Sequence, residues 1–486
     1  MKLNTTLRRW LPVSGLVVLG LMGTGRPSEA QGEEKALRAG ASVIDVTPRT
    51  FPVSSNGSMS DRSAGKAHDP LNSRALVLDN GTVRIAIVVV DSCMIPRDII
   101  DAAREKASAS TGIPAGNMLV SATHTHSAVT VGGVFQSEPE AAYREFLKER
   151  IALSIVEAAS RLEAARVGWA VGNNARQVFN RRWFMRPGYR YVDPFDAGTD
   201  RVQMNPASGS SRLLAPAGPI DPEVPVLSVQ FRDGRPLALL ANYSLHYVGG
   251  VAPGGLSADY FGEFAKQIAQ RVGAEKVEPP FVGIMSNGTS ADINNVNFFE
   301  PGVRRRPFEQ IRRVAADVAD SAHHAYRRIE YHDWVHLASR QAEIELGVRL
   351  PDRDDLDRAR KILADAGPGP YRERRAIYAR ETVLLAEYPA RVPVRLQAIR
   401  IGDLGIVSTP CETFVETGLA IKKESPLRPT FVIELANGYN GYLPTVRQHE
   451  LGGYETWRAR SSYLAVEAEA KVRESLLRLL HAVAGD

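Results

Sequence analysis

Two histidines lie two residues apart in Thr123-His124-Thr125-His126-Ser127, directly after the apolar run Met118 to Ala122. In an extended backbone residues i and i+2 project from one side. One imidazole could then bind a metal while the other meets a substrate, or the pair could cap loop backbone. His246 ends a second apolar run, Leu237 to Ala241 and beyond, where a hydrogen-bonded core histidine is the alternative reading. Glu412 follows a third run, Leu404 to Ser408. Neutral imidazoles joined by such a carboxylate would suit Zn²⁺, which takes N and O donors in fourfold geometry. His323 and His324 fall mid-helix, and His68, His332, His336, His449 and His481 follow no strand, so these seven read as surface or packing residues.

The elements that must position these residues are continuous apolar strands. Val83 to Val90, Met118 to Ala122, Leu237 to Ala241, Phe281 to Met285, Leu404 to Ser408 and Thr430 to Leu435 have strand length. Apolar spacing near 3.6 predicts helices over Asp98 to Ser108, Pro139 to Ala164, Tyr260 to Val272, Phe308 to Arg328 and Ser462 to Leu480. The alternation implies an α/β fold with buried β-sheets flanked by helices. In such folds ligands bind beyond the carboxyl ends of the strands. There the chain carries Asp91, His124, His126, His246, Asn287 to Asp292, Glu412 and Asn437 to Tyr442. Phe184 to Pro219, rich in Gly, Pro, Ser and Asp, reads as a long surface loop. Arg353 to Glu387 reads as a charged helical pair with a solvated face and no partner.

The chain has 486 residues, 44% hydrophobic and 24% charged, with two cysteines, which excludes a disordered tail, a collagen-like fibre and a disulfide scaffold. Its formal charge of +5 is inflated by residues 1–30, which hold Lys2, Arg8, Arg9 and Arg26 against Glu29 alone; without them 56 basic residues face 54 acidic ones. That balance gives no nucleic-acid footprint. Residues 1–30 have a basic start, an apolar run from Trp10 to Met22 and small residues before Ala30, the pattern of a secretory signal peptide cleaved after Ala30. The apolar run is shorter than the ~20 residues that span a bilayer, so the mature protein is expected to be secreted or periplasmic, without stable membrane insertion. Whether Cys93 and Cys411 pair is open.

Several motifs, in order, resemble the neutral, non-lysosomal ceramidase family over roughly residues 38 to 482. Ala39 to Pro48 is similar to the family's opening block and Ser73-Arg74-Ala75 to its next. Thr123 to Ser127 matches its most recognisable motif, which implies His124 as a zinc ligand and His126 at the substrate. Asn180-Arg181 resembles a pair whose arginine lines the active site, and His246 falls at the second histidine ligand. Pro410-Cys411-Glu412 resembles the Pro-Gly-Glu that supplies the carboxylate ligand, and Asn437 to Tyr442 the stretch that ends in a tyrosine ligand. Tyr454-Glu455 matches a pair whose tyrosine faces the substrate. The resemblance therefore implies Zn²⁺ on His124, His246, Glu412 and Tyr442, with His126, Arg181 and Tyr454 acting on the substrate.

The chain departs from the family twice. The box that carries the family's serine corresponds to Ala291-Asp292-Ile293-Asn294-Asn295, which places Asn294 where serine stands. An amide cannot form an acyl-enzyme, whereas it can hydrogen-bond a substrate. Residues 31–486 are expected to form one catalytic domain without the family's C-terminal immunoglobulin-like domain. The resulting expectation is an exported zinc hydrolase in which activated water cleaves the amide of ceramide or a related N-acyl substrate. Three alternatives stay open: a zinc hydrolase of a non-lipid N-acyl compound or ester, a zinc-containing binding protein without turnover, and a phosphoesterase. Asn287-Gly288-Thr289-Ser290 lacks the lysine of a P-loop, which weighs against the last.

Overall fold

The computed structural model describes Trp10 and residues 35–486; the expected leader, Trp10 apart, lies outside the described residues. Strands rich in Val, Ile, Leu and Ala build two sheets. The larger takes β1 (Leu37–Asp45), β2 (Asn72–Asp79), β3 (Arg84–Val90), β4 (Met118–Ala122), β5 (Glu163–Asn173), β6 (Glu223–Phe231), β7 (Pro236–Tyr243) and β8 (Val282–Asn287). Their order is β8-β7-β6-β5-β1-β2-β3-β4. The smaller sheet takes β9 (Leu337–Gly347), β10 (Arg391–Ile401), β11 (Leu404–Ser408) and β12 (Thr430–Ile433) in that order. The pairs β3–β4, β7–β8 and β11–β12 are parallel, and the remaining neighbours are antiparallel.

The strands lie in the two inner layers of four. One face of the large sheet is covered by α1 (Arg97–Thr111) and α2 (Ala141–Ser160) over β1 to β4, and by α3 (Asp259–Arg271) and α4 (Glu309–Tyr326) over β6 to β8. Its other face packs on the small sheet through Leu76, Ile87, Leu240, Ile399, Ile406 and Phe431. Each such aliphatic or aromatic side chain contributes roughly 1.5–3 kcal/mol when fully buried. Between β9 and β10 the chain forms α5 (Arg353–Ala366) and α6 (Arg374–Leu385). The outer face of the small sheet is covered by α7 (Val415–Glu424) and α8 (Ala468–Gly485) through Val407, Ile421, Leu476 and Leu480.

One short segment closes this architecture around the site. Beyond β12, the Glu434 N–H donates to the Asn287 carbonyl at the end of β8, and the Asn437 N–H donates to the Val120 carbonyl in β4. Glu434 to Asn437 therefore bridges both edge strands of the large sheet, which lie seven strands apart in its order. The carboxyl ends of β4, β7, β8, β11 and β12 converge as a result.

Several expectations are corrected. The pair Arg353 to Glu387 is not solvated throughout: α5 buries only Ala359, whereas α6 buries Ala376, Ile377, Tyr378, Ala379, Glu381, Thr382 and Leu385 against the rest of the chain. Seven of the twelve residues of α6 are apolar or aromatic despite its arginines, and Tyr378 contacts Phe135, Phe195 and Trp457 edge-on. The stretch Phe184 to Pro219 contains the short strands Gln203–Met204 and Leu213–Pro216, which flank Arg182–Met185. The helix expected to reach Ala164 ends at Ser160, because Glu163 opens β5, and the last helix begins at Ala468. Cys93 and Cys411 are free thiols buried in different clusters. Among the described residues, no helix is long and apolar enough to cross a membrane.

Candidate functional site

His124 lies two residues past β4 with φ of 72°, a left-handed conformation that a branched or ringed side chain adopts at a cost of roughly 1–2 kcal/mol. Neighbouring strands hold it there: the His124 N–H donates to the Ser92 carbonyl at 2.8 Å, and the Thr123 N–H to the Val90 carbonyl at 2.9 Å. The conformation turns the imidazole inward, where it is 1% exposed. Backbone strain of this kind collects at functional sites.

Each of three imidazoles is oriented by a backbone carbonyl. His124 Nδ1 faces the Cys93 carbonyl at 2.6 Å, His126 Nδ1 the Gly57 carbonyl at 2.9 Å, and His246 Nδ1 the Ser290 carbonyl at 3.1 Å. A carbonyl only accepts, so Nδ1 carries the hydrogen in each neutral ring and Nε2 is the nitrogen left with a lone pair. The three Nε2 atoms converge: His124 to His246 is 3.0 Å and His124 to His126 is 3.1 Å. Glu412 Oε2 joins them at 3.3 Å from His124 Nε2 and 3.8 Å from His246 Nε2.

Glu412 is buried, and its two oxygens differ. Oε1 accepts from the Tyr439 hydroxyl at 2.9 Å, whereas Oε2 has no hydrogen-bond partner. An unpartnered carboxylate oxygen facing imidazole lone pairs fits a cation. Donors held at about 2.0–2.1 Å from a tetrahedral Zn²⁺ stand about 3.3 Å apart, close to the separations seen here. His124, His246 and Glu412 could hold such an ion. Tyr442 stands beside them because Glu412–Thr413 pairs in parallel with Tyr442–Leu443, with Glu412 opposite Tyr442.

The charges follow from burial and proximity. Burial opposes a charge on His124, but the Glu412 carboxylate outweighs it and raises the His124 pKa well above the ordinary imidazole value. Burial would raise Glu412, yet His124 holds it low. His126 and His246 are pushed well below the ordinary value, by burial first and then by the charge on His124. The pair therefore favours a charge on His124 beside an ionised Glu412, flanked by two neutral rings. A dication in place of that proton would meet three lone pairs and a carboxylate at once.

The structure brings seven of the eight expected site residues together. Arg181 is buried, donates from Nη2 to the Tyr442 hydroxyl at 3.2 Å, and pairs through Nε with Glu455 at 2.9 Å. Glu455 is fixed in turn by Arg182 at 2.6 Å. Tyr454 sits edge-on to Tyr442, with ring centroids 5.8 Å apart. His124, His126, Glu412, Tyr442 and Tyr454 line a cavity of ≈ 50 Å³ with Cys93, Tyr439 and Phe135. Asn294 stands outside: Ile293–Asn294 pairs antiparallel with Phe179–Asn180, and the Asn294 amide donates to Asn205 at 2.7 Å.

Other participants were not singled out from the sequence. Tyr439 supports Glu412, and Tyr247 stacks on His126 with centroids 3.8 Å apart. Both lie inside motifs already noted, one in Asn437 to Tyr442 and one directly after His246. Gly57 has no such marker. It has φ of 95°, and a Cβ there would stand 2.5 Å from His126 Cγ, so the close approach of this loop requires glycine.

No model of a protein family matches the chain, nor does the sequence of any curated protein. Solved structures do, among them two ceramidases. Neutral ceramidase from Pseudomonas aeruginosa aligns over 93% of this chain and 75% of its own, with a TM-score of 0.70 and 18% sequence identity. A ceramidase complexed with C2 aligns over 93% of this chain and 76% of its own, also with a TM-score of 0.70 and 18% identity. Together with the mixed sheet and its flanking helices, these alignments establish that the chain has the neutral ceramidase fold.

Proposed function

We propose that this chain is an exported zinc-dependent N-acyl amidohydrolase, with residues 31–486 as its catalytic domain and ceramide or a related N-acyl lipid as its substrate. The observation that carries this reading is the convergence of the imidazole Nε2 atoms on the unpartnered Oε2 of Glu412, beside Arg181 and in a small cavity. His124, His246 and Glu412, with Tyr442 as fourth donor, are the residues that would hold the ion. Zn²⁺ held there would lower the pKa of a water from 15.7 to about 7 and polarise a carbonyl.

The chain's own groups do the rest. Glu455 clamps the Arg181 guanidinium so that Nη2 points at the Tyr442 hydroxyl, where an acyl oxygen would gather negative charge. Tyr454, whose pKa burial raises, keeps its proton and donates to the same oxygen. A donor in this role contributes about 3–4 kcal/mol to transition-state stability. His126 stays neutral, and its Nδ1 is tied to Gly57, so Nε2 is the atom that takes a proton and passes it to the leaving amine. Asn294 is left to contact whatever part of the substrate projects beyond Arg181.

An acyl chain is favoured by a run of edge-contacting rings, from Tyr442 through Tyr454 and Trp457 to Tyr378 of α6. A smaller N-acyl compound or ester is favoured by the cavity, since ≈ 50 Å³ holds a water or two and little of a two-chain lipid. Turnover measured over ceramides, N-acyl amino acids and acyl esters, with and without chelator, decides between them. Chelator-sensitive turnover restored by Zn²⁺ is expected. Stoichiometric zinc without turnover on any of these would make the protein a binding module, and purified chain with no affinity for zinc would overturn the metal centre itself.

A further inference from the structure

Cys93 takes no part in the reaction above, yet it lines the same cavity as His124, His126 and Glu412. It follows β3, and its carbonyl is the group that orients His124 Nδ1. Its Sγ lies 3.8 Å from that nitrogen, and the side chain is buried. Sγ and one ring nitrogen each of His124 and His126 all lie within 4.8 Å of one another, as do the donor atoms of His124, His246 and Glu412. The cavity therefore offers two donor sets that share His124. One is nitrogen and carboxylate oxygen. The other is nitrogen and sulfur. A second sign that the cavity is built for a cation is Glu412 Oε2, 3% exposed as a residue and without a hydrogen-bond partner.

Thiolate sulfur selects soft metals over hard ones. We propose that Cys93, His124 and His126 form a second position for a thiophilic divalent cation such as Cd²⁺, in competition with the zinc position for His124. Competition follows from the hydrogen bonding: His124 Nδ1 is engaged by the Cys93 carbonyl, so Nε2 serves both positions. On binding, the thiol releases its proton to bulk water and one sulfur–metal bond forms, with no electron transfer. The inference rests on the histidine cluster being a metal centre, and the test separates the two ideas.

The experiment uses the full chain, stripped with chelator, dialysed and titrated with CdCl₂ or ZnCl₂ alone. A thiolate-to-cadmium charge-transfer absorbance is expected to saturate at one equivalent in the wild type and in Cys411→Ser, whose thiol is buried in another cluster. The band should vanish in both Cys93→Ser and Cys93→Ala, with Cd²⁺ affinity falling at least about tenfold. If Cd²⁺ binds the wild type without the band, or the band survives in either Cys93 variant, the soft position is wrong. The wild-type spectrum decides this even should a variant fail to fold. Zinc binding with no cadmium band overturns the Cys93 position alone, whereas failure of both metals to bind overturns the metal centre and this inference together.

Discussion

Glu412 and Glu434 leave the carboxyl ends of the adjacent parallel strands β11 and β12, and both are buried, at 3% and 0% exposure. Their environments diverge. Glu434 accepts the Ser290 hydroxyl on Oε1 and the Thr413 N–H on Oε2, both at 2.7 Å. These neutral donors satisfy its geometry without cancelling a charge, and burial pushes its pKa up to about 8. Glu412 has one such donor, Tyr439, and its other oxygen faces His124, whose charge holds it ionised. Burial alone does not mark a functional carboxylate. The mark is an ionised group whose remaining lone pairs aim at atoms that cannot donate to all of them.

The sharpest way to break this contrast is Glu412→Gln, which keeps the shape and removes the charge. It should lose both bound zinc and turnover, as read by metal analysis and a hydrolysis assay. A variant that kept one zinc per chain and wild-type rate would place Glu412 in the same structural class as Glu434. Arg181→Ala tests the next layer. With Glu455 still paired to Arg182, the fold should survive, zinc should stay bound, and kcat should fall by about 10²–10³, the effect of removing one oxyanion donor. Loss of zinc in that variant would mean that Arg181 supports the metal site rather than the substrate.

Gly57→Ala sharpens the role of His126. The added Cβ meets the imidazole at a distance that only movement relieves, and φ of 95° is itself unfavourable for alanine. We expect kcat to drop at least about tenfold, as when a proton-transfer group is displaced. Zinc affinity discriminates further. It should hold if His126 serves the substrate, and it should fall as well if His126 Nε2, as close to His124 Nε2 as that of His246, is a third nitrogen donor.

The strands that carry the site were legible because they are buried on both sides and read as unbroken apolar runs. β9 and β10 were not: Glu343 and Glu345 of β9 alternate with less exposed residues, so the segment reads as polar. The ring positions were legible only as a set. Which nitrogen each histidine presents depends on the carbonyls of Gly57, Cys93 and Ser290, which come from three separate parts of the chain. Asn294 follows the same logic in reverse. Its place in a family motif put it at the site, but pairing with Phe179–Asn180 turns its side chain to Asn205.

The smallest expected effect concerns Glu434, and it is on stability. Its folded pKa of about 8 lies above the ordinary value of 4.5, so between those pH values the folded chain holds a proton that the unfolded chain has lost. Stability from this group is therefore unpenalised below pH 4.5, falls as pH rises through the window, and levels off above pH 8. Each pH unit of the gap corresponds to about 1.4 kcal/mol, so the full window amounts to several kcal/mol at most. Glu434→Gln keeps an acceptor for the Thr413 N–H and offers an amide hydrogen to the Ser290 oxygen, mimicking the protonated acid. Thermal midpoints of the chelated protein should match the wild type near pH 5 and exceed it by several degrees near pH 8, where the wild type is penalised. Parallel pH curves for the two proteins would show that Glu434 is ionised in the folded state, and the contrast with Glu412 would then have to rest on hydrogen bonding alone.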